Sequence, residues 1–248
     1  IVVDNGSTDR SRAIAENLGA RVISEQETGY GAACRKGLTA AKGQFLLIMD
    51  ADASYDFNQI PSFIDALKNG ADFVIGNRFA GTIQRNAMPW MHRHIGNPVL
   101  SGILRLFFKS TIHDAHCGMR ALTRQAFQTL TLKTTGMEFA SEMIIQIQKR
   151  NLTVKEIPVN YRRRLGQSKL KSFADGWRHL RFMLIYSPFF LFFLPGLFLF
   201  LTGTILFALT YFDIFALGKF HFQSHPLFVF ALLIITGYQL IIFALFAK

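Results

Sequence analysis

The stretch Phe45-Leu-Leu-Ile-Met-Asp-Ala-Asp-Ala-Ser-Tyr-Asp56 runs five apolar residues straight into three carboxylates, Asp50, Asp52 and Asp56. A short apolar run ending in carboxylates reads as a buried strand whose carboxyl end opens onto a site. Carboxylates this close repel one another unless a cation lies between them. An EF-hand loop would need Gly at its sixth position and Glu at its twelfth, and those positions hold Tyr55 and Pro61. A phosphatase that places Asp-x-Asp after its first strand would also need a later acidic pair, and none follows residue 78. The reading that survives, beside plain solvated turn carboxylates, is a clamp for Mg2+ or Mn2+. Such an ion takes one or two carboxylates and completes its shell with phosphate oxygens and water.

The sequence around that stretch alternates strand and helix patterns. Ile1–Asp4, Arg21–Ser24, Gln44–Met49, Asp72–Ile75 and Thr153–Ile157 read as strands. Helical patterns follow Ser7 and Thr8 as far as Gly19, and cover Tyr30–Ala41, Gln59–Lys68 and Phe139–Arg150. This alternation predicts an α/β fold with a doubly wound, mostly parallel sheet, in which Asp4, Asp50 and Asp52 all fall at strand ends. From Asn77 to Lys133 the pattern is looser and rich in Arg, His and Gly. The opening inside a strand and the closing apolar run lead to the expectation that the chain is truncated at both ends.

Half of the 248 residues are apolar, 26 of them Phe. Phe182 to Phe212 and Pro226 to Ala247 carry no charge, and each exceeds the roughly 20 residues that cross a bilayer core. Two transmembrane helices are expected, about 191–212 and 226–247, with a break near Pro188 and Pro195-Gly196. A basic amphipathic helix over 173–188, with Phe173, Trp177, Leu180 and Leu184 on one side, is expected to lie at the membrane interface. Seven Lys/Arg in 162–181 against the single Lys219 in the connector 213–225 place residues 1–172 and Lys248 in the cytoplasm. Cys34 and Cys117 have no spacing for zinc or a disulfide framework.

The net charge of +11 is uneven. Residues 1–77 hold 7 Lys/Arg and 10 Asp/Glu, whereas 78–181 hold 18 and 5. An acidic half followed by a basic one suits a site that takes a cation and, beside it, anions. The adjoining apolar runs favour a lipid phosphate or anionic membrane surface over nucleic acid as the partner of the basic half.

The segments "IVVDNGSTDRS", "GYGAACRKGLTAAKGQFLLIMDADASYDF", "FVIGNRF", "HDAHCGMRAL", "GMEFASEM" and "GQSKL" together resemble the family 2 glycosyltransferases of GT-A fold. Within them they are most similar to the dolichyl-phosphate mannose synthase and polyprenyl-phosphate glycosyltransferase group. The resemblance covers residues 1 to about 182. It implies an inverting enzyme that moves a hexose from a nucleotide-diphosphate sugar, of GDP-mannose or UDP-glucose type, to a polyprenyl phosphate. It also implies a multi-pass protein of a bacterial plasma membrane. A membrane-anchored scaffold without activity, or a transferase with another lipid or glycan acceptor, is the alternative.

The resemblance also implies roles residue by residue. Asp4, Gly31 and Arg35 contact the nucleotide, and Asp50 and Asp52 hold the metal. The family's third ligand position falls on Ser54, so that a water or Asp56 is the alternative ligand. Arg78 and Arg120 grip phosphate, Asp52 and Glu142 belong to the catalytic set, and Glu138 is the alternative to Glu142. Arg164, Ser168 and Lys169 bind donor or acceptor phosphate, with Arg163 as the alternative to Arg164. The Gln-x-x-Arg-Trp motif of processive polysaccharide synthases is absent from the sequence.

Overall fold

The structure, a computed structural model, describes residues 1–166, 172–212 and 225–247. It divides into two compact units, Ile1–Met183 and Leu184–Lys248. The first unit begins with β1 (Val2–Asp4), α1 (Ser11–Asn17), β2 (Val22–Ser24), α2 (Tyr30–Ala40) and β3 (Phe45–Ile48). It continues with α3 (Ile60–Lys68), β4 (Phe73–Asn77), α4 (Asn97–Phe108), β5 (Arg120–Thr123), α5 (Arg124–Thr129), α6 (Phe139–Lys149) and β6 (Val154–Pro158). The bounds of β1, β2, α2, β3, α3, β4, α6 and β6 fall within two residues of those expected from the sequence, and α1 starts at Ser11, later than the caps Ser7 and Thr8 implied. The looser stretch 77–133 resolves into α4, β5 and α5, which the apolar pattern did not reveal.

β1 and β2 pair in parallel. The four remaining strands form one sheet in the order β3-β5-β4-β6. β4 and β6 are parallel, while β5 runs antiparallel to both β3 and β4. The strands found in the sequence thus share one direction within this sheet, and the strand that was missed makes the sheet mixed. Ile48 and Ile75 both face Arg120 across the ladders. β4 is buried along its whole length, and Phe73, Val74 and Ile75 are fully covered, as an inner strand requires.

The C-terminal ends of the strands are where side chains leave the core. Asp4 ends β1, Asp50 follows β3 by two residues, and Arg78 follows β4 directly. α2 packs against both β1 and β3. Its N-terminus approaches the loop before α6 so closely that a Cβ on Gly31 would lie 2.5 Å from the Thr134 carbonyl oxygen and 2.8 Å from the Phe139 Cβ.

α7 (Ser172–Tyr186) begins in the first unit and runs three residues past its end at Met183. It buries His179 and Met183 and leaves Phe173 and Trp177 exposed. In the second unit, α8 (Pro188–Tyr211) and α9 (His225–Phe246) are long and apolar enough to cross a membrane. The expected break falls at Ser187, between α7 and α8. Pro195 does not interrupt α8, which runs for 24 residues; the loss of one N–H donor is absorbed within a long helix. The connector 213–224 and Lys248, whose sides of the membrane were expected from charge, lie outside the described residues.

α8 and α9 pack at glycines. A Cβ on Gly237 would lie 2.4 Å from the Phe200 nitrogen, and one on Gly196 would lie 2.8 Å from the Leu240 Cβ. Small residues let helix backbones approach where the hydrophobic effect offers no drive. Gly237→Leu should therefore force the helices apart and cost about 1–3 kcal/mol. The measurement is the denaturation midpoint of the detergent-solubilised protein; a midpoint equal to wild type would show that this contact does not hold the pair.

Candidate active site

The loop after β3 carries the carboxylates. Ala53 adopts a left-handed backbone, φ 61°, which is strained for a residue with a Cβ. That turn folds Ser54 back so that its N–H donates to Asp52 Oδ1 at 3.0 Å, and its hydroxyl donates to the same oxygen. Ser54 is fully buried. It orients Asp52 by giving its hydroxyl proton to that carboxylate. Asp56 is engaged too: it accepts from Asn58 N–H and from Arg162 Nη2 at 2.7 Å. Asp50 and Asp52 remain as the pair available to a cation.

Asp50 is half-buried against a wall without side chain. A Cβ on Gly118 would sit 2.3 Å from Asp50 Oδ2. Burial first, and Asp52 second, push the Asp50 pKa above its ordinary value; Arg120, Arg78 and Arg164 act against that rise. Among the described residues no hydrogen-bond donor reaches the Asp50 carboxylate. A partly desolvated anion that repels its neighbour and lacks donors is a group that a divalent cation would satisfy. No cluster of three or more His, Cys, Asp or Glu side chains forms among the described residues.

Two arginines expected to grip phosphate are held internally. Arg120 is 1% exposed and donates through Nε to the Cys117 carbonyl at 2.8 Å, through Nη1 to Ala140 at 3.0 Å and through Nη2 to Ala115 at 2.8 Å. It pins the 114–118 loop and α6 to β5, and the assignment of Arg120 as a phosphate ligand is corrected on that ground. Arg78 makes a two-pronged pair with Asp114, with both bonds at 2.7 Å. Its guanidinium also lies 5.2 Å from the centre of the Tyr161 ring. Arg78 borders the cleft described below, but its charge is matched.

Glu142 is likewise a structural group. Its buried carboxylate accepts from Lys133 N–H, from Thr134 N–H at 2.9 Å and from the Thr134 hydroxyl at 2.6 Å. Both oxygens are engaged, and the carboxylate shapes the 133–134 loop. Glu138, the alternative, has one buried oxygen without a partner, and the other accepts from Gly136 N–H at 3.3 Å. Arg35 bonds Glu27 and the Lys133 carbonyl, both at 3.0 Å. Together with Gly31 it fixes α2 to the same loop. Asp4 accepts from Ser7, which lowers its pKa. Ser168 and Lys169 lie outside the described residues.

What the sequence did not reveal is the partner of the Asp52 loop. Residues 161–165 lie along it: Arg162 N–H donates to the Ser54 carbonyl at 2.8 Å, and Leu165 N–H to the Asp52 carbonyl at 2.9 Å. Tyr161 and Tyr55 meet edge to face at 5.3 Å. The buried Tyr55 hydroxyl accepts from Gly118 N–H at 2.7 Å. These contacts carry Arg164 to within 3.7 Å of Asp52 Oδ2.

Arg164 opens onto a cleft of about 840 Å3. Its polar lining includes Arg78, Arg163, Arg164, His92, His116 and His179, with Asp175 as an acid among them, and its apolar lining includes Met88, Leu100, Met137 and Leu165. His179 bonds the Ser141 hydroxyl at 2.9 Å; burial, aided by Arg120, pushes its pKa down to about 4. His116 stacks edge-on against it at 4.5 Å and is held neutral by burial and by His179. Both His116 ring nitrogens are occluded and without hydrogen-bond partners among the described residues. Arg163 and Arg164 both line this cavity, and His92, His116 and His179 join them from segments far apart in the sequence.

Residues 1–131 match the family described as Glycosyl transferase family 2. The low-salt glycan biosynthesis hexosyltransferase Agl6 of Haloferax volcanii is 39% identical over 248 residues, which is all of this chain and 60% of that protein's length. The dolichyl-phosphate hexose transferase of the same organism is 33% identical over 177 residues, 71% of this chain and 75% of that one. Among solved structures, glucosyl-3-phosphoglycerate synthase from Mycobacterium tuberculosis in complex with Mn2+ and uridine-diphosphate-glucose superposes with a TM-score of 0.61 at 19% identity. The match covers 76% of this chain and 67% of that one, and at that identity it bears on the fold alone. By sequence and by fold the chain belongs to glycosyl transferase family 2, and its first unit is a GT-A domain.

Proposed function

We propose that the chain is the catalytic part of an inverting hexosyltransferase that moves a sugar from a nucleoside-diphosphate hexose to a polyprenyl phosphate at a membrane. The observation that carries this reading is Arg164, 3.7 Å from the Asp52 carboxylate on one side and lining a basic, apolar-walled cleft on the other. One half of the site suits a metal-bound diphosphate, and the other suits a phosphate with a greasy tail. The names of the two relatives, a hexosyltransferase and a dolichyl-phosphate hexose transferase, support it. So do the two helices of spanning length.

Asp50 and Asp52 would hold Mg2+ or Mn2+, which when bound supplies positive charge to the departing diphosphate. The chain's own groups do the rest. Ser54 fixes the Asp52 carboxylate. Arg163 and Arg164 neutralise and aim the acceptor phosphate. Met88, Leu100, Met137 and Leu165 keep water from the reacting centre. The acceptor has a second pKa near 6 and is largely dianionic at pH 7, so it attacks the anomeric carbon without giving up a proton to a base. Direct in-line attack inverts that carbon. The donor is of GDP-mannose or UDP-glucose type, and the site faces the cytoplasm. The deciding experiment incubates membranes containing the full-length protein with a panel of radiolabelled sugar nucleotides and extracts the lipids. Label that stays wholly in water-soluble products refutes the lipid acceptor.

Asp50 gives the sharpest test of the metal pair. Its pKa is raised in the folded state, so its ionised form opposes folding above that pKa, and the cost is relieved as pH falls through it. Asp50→Asn should therefore raise the unfolding midpoint of the metal-free protein at pH 7. It should abolish the further rise that Mn2+ gives to the wild type, and it should abolish transfer. A variant that Mn2+ still stabilises as strongly as wild type would remove Asp50 from the metal site.

The two arginines should separate. Arg164→Ala should fold normally, leave sugar-nucleotide binding within a few-fold of wild type, and raise the KM for polyprenyl phosphate about 10- to 100-fold, since a charge-assisted bond contributes about 1.5–3 kcal/mol. Arg120→Ala removes three buried hydrogen bonds that tie the 114–118 loop and α6 to β5 and should lose folded protein first. Normal folding of Arg120→Ala with only the lipid KM raised would return Arg120 to the phosphate site.

A further inference from the structure

His116 lines the cleft, yet both of its ring nitrogens are covered and make no hydrogen bond among the described residues. A neutral imidazole carries one N–H donor and one lone-pair acceptor. Covering both without a partner costs free energy that a folded chain seldom leaves unrecovered. The reaction proposed above assigns phosphate to the Asp50–Asp52 pair and to Arg163 and Arg164, and it gives this ring no task.

The ring is firmly mounted. Arg120 clamps the backbone on either side of it, donating to the Ala115 and Cys117 carbonyls, both at 2.8 Å. Ala115 N–H donates in turn to the Ser101 hydroxyl at 3.1 Å. Across from the ring, His179 meets it edge to face at 4.5 Å and is itself bonded to Ser141 at 2.9 Å. The backbone therefore holds its place, while the torsion between Cβ and the ring has a broad minimum. A turn about that bond presents a nitrogen to the cleft.

The chemistry of the ring selects its partner. Burial first, then His179, Arg120 and Arg78, keep it neutral. A phosphate oxygen only accepts, so it would engage the N–H and leave the other nitrogen unmatched, and Arg163 and Arg164 in the same cleft offer it full charges. A hydroxyl both donates and accepts, so it suits either nitrogen of an uncharged ring. The loop that carries His116 also places its donor in reach of the diphosphate end of the site. Two residues on, Gly118 forms the wall against Asp50, where a Cβ would lie 2.3 Å from Oδ2.

We propose that His116 is a specificity-determining residue that hydrogen-bonds a hydroxyl group of the hexose being transferred. This rests on the hexosyltransferase reading. A site that matches buried polar atoms with a substrate hydroxyl rejects an analogue lacking that hydroxyl, because the atoms are then left unpaired.

The test is calorimetric binding to the full-length protein in detergent with Mn2+ and no lipid acceptor. The probes are UDP-glucose and GDP-mannose, each against its bare nucleoside diphosphate, together with donors that lack one sugar hydroxyl at a time. His116→Phe keeps a ring without polar atoms, and His116→Gln restores a donor and an acceptor. His116→Phe should bind the nucleoside diphosphate as the wild type does and lose about tenfold in affinity for the sugar nucleotide, with His116→Gln recovering part of it. One deoxygenated donor should bind the wild type about tenfold more weakly than its parent, and His116→Phe should no longer tell the two apart. Should the bulk of Phe impair folding, His116→Ala carries the same comparison. Sugar nucleotide bound by His116→Phe or His116→Ala as tightly as by the wild type overturns the proposal and leaves the hexosyltransferase reading standing. Unchanged donor binding with a raised KM for polyprenyl phosphate overturns it too, in favour of a contact to the lipid phosphate. A wild type that binds neither sugar nucleotide removes the hexosyltransferase reading and this proposal with it.

Discussion

A buried cation without a carboxylate partner holds this site together. Taking a guanidinium out of water costs several kcal/mol unless its donors are matched. Arg120 meets that cost with the carbonyls of Ala115, Cys117 and Ala140. Those groups belong to the loop before β5 and to α6, so the bonds that solvate the charge also set the distance between the two. The loop so fixed presents Gly118 to Asp50, and Tyr55 accepts from the Gly118 N–H. The charge is felt further out as well. It opposes the rise in the Asp50 pKa, and it helps keep His116 and His179 neutral. One interior cation thus fixes the loop beside the carboxylates and adds to burial in keeping the cleft histidines neutral.

The elements that were legible in the sequence are those whose local pattern agrees with their environment. β3 and β4 are apolar runs closed by Asp50 and by Asn77-Arg78, and they sit where such runs must sit, in the core with their ends at the site. β5 was illegible because it opens with Arg120; on a sequence, an arginine in a strand looks like surface. α4 was illegible for a related reason. Its Gly96, Pro98 and Gly102 read as loop, and its exposed Val99 and Leu106 blur the polar face by which an amphipathic helix in water is recognised.

The candidate site was legible by residue type and less so by role. Asp50 and Asp52 stand where a cation clamp needs them. Arg120, Arg78 and Glu142 were expected to face substrate, but each is satisfied by the protein. Nothing in a one-dimensional pattern separates an arginine aimed at phosphate from one caged by carbonyls, because both need a charge at the end of a strand or loop. What separates them is long-range pairing. The contacts of residues 161–165 with residues 52–55 span more than a hundred positions. They cannot be read from spacing, and they are what brings Arg164 to Asp52.

The charge asymmetry of the chain takes on a narrower meaning once the pairs are traced. Arg78 is matched by Asp114 and Arg162 by Asp56, and Arg120 is held by carbonyls, so these cations of the basic half hold the fold together and are not free for anions. Arg164 differs because its nearest acid, Asp52, belongs to the proposed metal pair. If that carboxylate turns to a cation, Arg164 loses part of its hold and becomes available to an anion in the cleft. Two like charges 4 Å apart repel by about 4 kcal/mol at an effective dielectric of 20. In the proposed reaction a guanidinium standing between a metal-bound diphosphate and an acceptor phosphate would offset repulsion of that order. It does so most fully when both anions are present, which is the condition under which transfer must occur.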